Sequence, residues 1–199
     1  RGANLDAIRA NGLRVESDAA GHFTVHPPVI ERPDGTWKAD LVLFCVKSYH
    51  NETAMEEMAD AVGNRTAILT LQNGLGSGDL LSERFGREKV LLGAAYVEAA
   101  RKAPGVFVEL GGDCGVVFGE QDGAETDRAV AVRDALESAK IDVELSDDVQ
   151  TSLWTKLVLI CGLSGMACIT RASFVEIVDT PQTKDLMRRV MQEAAEVGR

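Results

Sequence analysis

One lysine stands alone in a long apolar stretch: between Trp154 and Thr170, Lys156 is the only charged residue. Burying a lone ammonium costs free energy unless it reaches a partner or a cavity. Two readings follow. Lys156 is a general acid whose pKa is tuned by partial burial, or it snorkels from the start of a helix with its stem on apolar surface. Spacing alone does not choose between them. A second candidate is the loop Asn73-Gly74-Leu75-Gly76-Ser77-Gly78. Its glycines let a backbone approach a ligand closely, and its Asn can hydrogen-bond a substrate or a ribose; the same loop also reads as a plain turn into a helix. Lys47, at the end of an apolar run, could meet a phosphate or simply be solvated. The sequence holds no GxGxxG, GxxxxGK[ST] or HExxH motif.

Composition narrows the classes. A net charge of -10 argues against a nucleic-acid footprint, which needs clustered Lys and Arg. Cys45, Cys114, Cys161 and Cys168 show no CxxC pair and no metal-ligand pattern with His, so no metal site is expected. Buried free thiols in a reducing cytosol fit them, and the protein is expected to be cytoplasmic. No run of about 18 uninterrupted apolar residues occurs, so no membrane span is expected. The chain opens on Arg1 and stops on Arg199 in mid-pattern, and both ends read as cuts.

The elements that must position these residues follow from periodicity. Leu5 to Asn11 reads as a helix, stopped at Asn11-Gly12. Short strands follow at Leu13–Ser17 and His22–His26. Asp40–Val46 and Thr66–Leu71 are continuous apolar runs, as in central parallel strands covered on both faces. A helix over Asn51–Val62 separates them, and a helix from Gly78 to Phe85 leads to a strand at Val90–Ala94. This alternation is that of a parallel sheet, whose ligands bind beyond the carboxyl ends of the strands. Those ends carry Lys47 and Asn73. Val106–Leu110 and Gly115–Gly119 read as an antiparallel pair, Ala124–Ser138 as an amphipathic helix and Ile141–Leu145 as a strand. Asp147 or Asp148 can cap the helix over Thr151–Ile169, and a last helix runs over Thr183–Val197 after Pro181. The fold class is therefore α/β, with a Rossmann-like domain over residues 1–147 and the start of a helical domain over 148–199.

The motifs then fall into a known order. Val46-Lys47-Ser48-Tyr49, Leu71-Gln72-Asn73-Gly74-Leu75-Gly76, Pro104-Gly105-Val106, Phe118-Gly119-Glu120 and Leu153-Trp154-Thr155-Lys156-Leu157 together resemble the ketopantoate reductase (2-dehydropantoate 2-reductase) family over essentially the whole chain. The resemblance implies NADPH-dependent reduction of a 2-keto acid, 2-dehydropantoate to pantoate, in pantothenate and coenzyme A synthesis. It makes Lys156 the catalytic lysine. Asn73 would lie near nicotinamide and substrate, and Lys47 and Arg1 at the cofactor, Arg1 on the 2′-phosphate. Ser164, two helical turns beyond Lys156, would contact substrate. The family's first βα unit, with its Gly-rich loop, would precede Arg1, and further active-site residues would follow Arg199. The chain as given is accordingly expected to be inactive. Ile160 departs from the family's common Asn, which leaves two alternatives open: a nucleotide-binding or scaffold protein that has lost catalysis, and a related reductase with another small substrate. A homodimer is allowed.

Overall fold

A computed structural model describes residues 2–18, 20–111 and 114–198. After helix α1 (Gly2–Asn11) come strands β1 (Leu13–Ser17), β2 (Gly21–Val25) and β3 (Leu41–Phe44), helix α2 (Asn51–Met58), β4 (Ala67–Thr70), α3 (Ser77–Phe85) and β5 (Val90–Tyr96). The second half holds β6 (Ala99–Ala103), β7 (Val106–Glu109), β8 (Gly115–Gly119), α4 (Asp127–Ser138), β9 (Asp142–Leu145), α5 (Val149–Thr170), α6 (Phe174–Asp179) and α7 (Pro181–Val197).

The larger sheet has the order β3-β4-β5-β8-β9. Strands β3, β4 and β5 are mutually parallel, as their apolar runs require. Period-two alternation splits β4 and β5 between two cores. Ala67, Leu69 and Leu91 face Phe118 and the α4 residues Ala129, Val132 and Leu136. Ile68, Val90 and Leu92 face the other way, onto Met55 of α2, Leu81 of α3 and Val149 at the start of α5. With helices on both faces, β4 is buried along its whole length.

The expected pairing of Val106–Leu110 with Gly115–Gly119 is corrected. The two strands lie in different sheets. β8 runs antiparallel to β5 and parallel to β9, which buries Val116 and Phe118 against the larger core. β7 instead joins a four-stranded sheet, β2-β1-β7-β6, where it is antiparallel to β6 and parallel to β1. Pro104-Gly105 makes the turn between β6 and β7, with Gly105 at φ 76°. Its backbone N–H donates to Asn4 Oδ1 at 2.8 Å, tying α1 to the small sheet.

Asp148 caps α5 by accepting from the Thr151 backbone N–H at 3.1 Å. Hydrogen bonding from Thr151, from its side chain first and then from its backbone N–H, holds the Asp148 carboxyl below the usual carboxylate range. Among the described residues α5 is long and apolar enough to cross a membrane on length and composition alone, although its apolar run is interrupted by Lys156 and Ser164. It is packed against α6, α7, β5 and β8, while Leu159 and Ile169 stay exposed. The cysteines are free as expected but not buried: Cys45, Cys114 and Cys168 are exposed and Cys161 is intermediate. Cys45 follows β3 at the strand's open end, and Cys168 lies on the outer side of α5, so neighbouring apolar residues in the sequence do not enclose them.

Phe118 is fully buried, whereas Phe23 on β2 is 44% exposed. Phe118→Ala is expected to lower stability by about 3–5 kcal/mol in urea unfolding, and Phe23→Ala by less than about 0.5 kcal/mol.

Candidate active site

The site is built by the first turns of α5 and the carboxyl ends of β3, β4 and β5. Val149 is 1% exposed and inserts into the core beneath the sheet. Leu153 packs on the same cluster one turn later. Continuing at helical spacing, Lys156 and Ile160 share that inward face. The helix therefore presents Lys156 at the edge of the sheet rather than to open solvent.

There the Lys156 ammonium donates to the backbone carbonyl of Ala95 on β5. Its Nζ also lies 5.3 Å from the centroid of the Tyr96 ring, within cation–π range. Among the described residues no carboxylate pairs with it. Partial burial without a counter-charge holds its pKa below lysine's ordinary value.

Lys156 opens into a cleft of about 730 Å³ whose lining includes Lys47, Asn73, Gln72, Glu98 and Ile160. Lys47 follows β3 in extended backbone, φ -68° and ψ 142°, and its carbonyl starts a short turn by accepting from the His50 N–H at 2.8 Å. Asn73 follows β4 and precedes two glycines with left-handed φ, Gly74 at 97° and Gly76 at 86°. That geometry, which only glycine takes without strain, swings the chain from the strand end into α3. Both Lys47 and Asn73 are exposed in the open cleft.

Of the residues singled out in the sequence, Lys47, Asn73 and Lys156 come together. Ser164 does not: it is exposed, farther along α5, and does not line the cleft. Arg1 lies outside the described residues. Among the described residues no group of three or more His, Cys, Asp or Glu could hold a metal ion.

Gln72 had no assigned role, yet it organises the site. It is 8% exposed, and its Nε2 donates to the Val46 carbonyl and, at 2.8 Å, to Asn51 Oδ1. One amide thus joins the loop that carries Lys47, the start of α2 and the loop that carries Asn73. The signal was visible: an amide side chain following a fully buried strand, just before Asn-Gly. Tyr96 was also missed, because nothing in its spacing says that it will stand beside Lys156.

The family profile described as "Ketopantoate reductase PanE/ApbA" matches residues 1–123, and its C-terminal counterpart matches residues 148–199. A 2-dehydropantoate 2-reductase of Halobacterium salinarum is 29% identical over 198 residues, which are 98% of this chain and 64% of that protein. The crystal structure of 2-dehydropantoate 2-reductase from Geobacter metallireducens superposes with a TM-score of 0.89 at 30% identity, covering 98% of this chain and 64% of that one. The ternary structure of D-mandelate dehydrogenase with NADH and anilino(oxo)acetate shares the fold, with a TM-score of 0.88 at 19% identity over 99% of this chain and 63% of that one. The chain thus spans about 64% of the length of the first two of these relatives.

Replacing Gln72 by Leu leaves the Val46 carbonyl and the Asn51 side chain without their donor. Unfolding measurements are expected to show a loss of about 1–3 kcal/mol, and an unchanged midpoint would remove Gln72 from its organising role.

Proposed function

The chain belongs to the ketopantoate reductase family, and from that membership we propose that the protein it represents reduces the keto group of a 2-keto acid with a nicotinamide dinucleotide. The observation that carries this reading is the desolvated Lys156 in one cleft with Lys47 and Asn73. The donor set fits a dinucleotide. Lys47 offers an ammonium for phosphate, Asn73 offers an amide for ribose or carboxamide, and the buried Gln72 Oε1 has no protein partner. When bound, the nicotinamide supplies a hydride equivalent to the keto carbon.

The chain's own residues do the rest. Lys156 donates a hydrogen bond to the keto oxygen and stabilises the charge that develops there. As the C=O bond becomes H–C–OH, the carbon takes the hydride and the oxygen takes the Lys156 proton, which solvent then replaces. Partial burial helps both ways: it weakens competition from water and brings the lysine pKa closer to the working pH. Ala95 keeps the ammonium at the sheet edge before substrate arrives.

For the substrate, the names of the relatives and the ordered motifs favour 2-dehydropantoate, whereas Ile160, where the family commonly carries Asn, favours a related 2-keto acid. For the cofactor, NADPH is supported by Arg1 and Lys47, a basic pair in a chain of net charge -10. A second reading, a nucleotide-binding protein without catalysis, draws on Ile160 beside Lys156. The deciding experiment follows oxidation of NADPH by the complete protein with a panel of 2-keto acids, alongside calorimetry of cofactor binding. Turnover establishes the reductase; tight NADPH binding with no turnover establishes the second reading.

Two outcomes are expected of this mechanism. Lys156→Ala should lower kcat/KM roughly 100- to 10,000-fold, the range of a lost general acid. In the unmodified protein, kcat/KM should hold while Lys156 is protonated and fall as pH rises through its depressed pKa, on the alkaline side but below lysine's ordinary value. An alkaline limb at or above that value would contradict the desolvated lysine as the acid. Separately, Arg1→Ala should weaken NADPH far more than NADH in direct binding, and equal loss for both would refute the 2′-phosphate role.

A further inference from the structure

The helical face that brings Lys156 into the cleft brings Ile160 there as well. One turn of helix, about 5.4 Å, separates them along the axis. The cleft's apolar lining near them includes Leu71, Tyr96 and Val97. Ile160 and Leu71 are half-buried, so their surfaces are part of the wall rather than of bulk solvent. The polar groups Lys47, Gln72 and Asn73 come from the strand ends, away from the helix. The α5 contribution is therefore divided between the Lys156 ammonium and the Ile160 hydrocarbon, while the strand ends supply polar and apolar groups alike.

This division bears on substrate class, and the inference rests on the 2-keto-acid reduction argued above. If Lys156 holds the keto oxygen, the carbon substituent of the keto acid stands within a helical turn of the same helix face. Ile160 can neither donate nor accept a hydrogen bond there. A hydroxyl on that substituent would lose water without gaining a partner from Ile160, whereas a methyl in the same place gains contact. We infer that Ile160 is a specificity-determining residue and selects 2-keto acids whose substituent is wholly apolar, branched alkyl or aryl, over those bearing a hydroxyl.

Trimethylpyruvate and ketopantoate test this directly, because they differ only by a methyl against a hydroxymethyl group. The complete protein with reduced nicotinamide dinucleotide is expected to favour trimethylpyruvate by about tenfold or more in kcat/KM, the order that one misplaced group produces in an apolar pocket. Ile160→Thr and Ile160→Val have nearly the same shape and differ by one hydroxyl. The Thr variant should narrow or invert the ratio, and the Val variant should keep it. Calorimetric affinities of the matching 2-hydroxy acids, with oxidised dinucleotide present, should move in the same direction, which separates recognition from rate. Ile160→Asn extends the series if it folds. A wild-type preference for ketopantoate, or a ratio that Ile160→Thr leaves unmoved, overturns the inference while the reductase reading stands. Turnover of neither compound nor of phenylglyoxylate, with dinucleotide still bound, brings down that reading and the inference together.

Discussion

The hydrogen bond from Lys156 to the Ala95 carbonyl joins the two parts of the chain that the site requires. One partner belongs to the long apolar helix, the other to the third parallel strand. The contact forms because Val149 and Leu153 anchor the same helix face in the core below the sheet. The ammonium is thereby held half out of water, where its charge is expensive and its proton is easier to give away. If the start of α5 rotated by a quarter turn, the lysine would return to solvent and Ile160 would leave the cleft. Core packing and acid strength are thus coupled through a single helical phase.

A second constraint operates at the strand ends. Parallel strands leave their carboxyl-end loops free to diverge, and here the buried Gln72 amide links two of them. Neutral hydrogen bonds of this kind contribute about 0.5–1.5 kcal/mol net, but breaking them in a buried place costs more. The exposed residues Lys47 and Asn73 sit on a rigid base for this reason.

Much of the larger sheet was legible because period and length agree there: short apolar runs bounded by Gly and polar residues, alternating with helices. The error over β7 and β8 shows where that logic stops. Both strands have suitable composition and a Gly-rich connection, and composition does not say which sheet will recruit each. The choice is made by distant partners, β1 for one and β5 for the other. Helix α6 was overlooked despite a capping box, with Ser173 accepting from the Glu176 N–H and the Glu176 carboxylate accepting from the Ser173 N–H at 2.8 Å. Its six residues are too few for a periodic signal. In the site, Lys156 was visible because a charge in an apolar helix is anomalous. Gln72 and Tyr96 were not given roles because theirs depend on what packs beside them.

The parallel pairing of β1 with β7 has a consequence for how the protein is made. Ser17 and its partner Glu109 are 92 residues apart. A ribosome adding about 5–20 residues per second needs roughly 5–20 s to cover that interval. During it, β1 and β2 can form only a two-stranded hairpin, a unit marginal in water. The small sheet therefore closes late on the nascent chain, after the strands of the parallel core have emerged. The β1–β2 segment leaves the ribosome well before its partner strand and finds its place late, and it spends that time with Phe23 and Val25 open to whatever else is nearby.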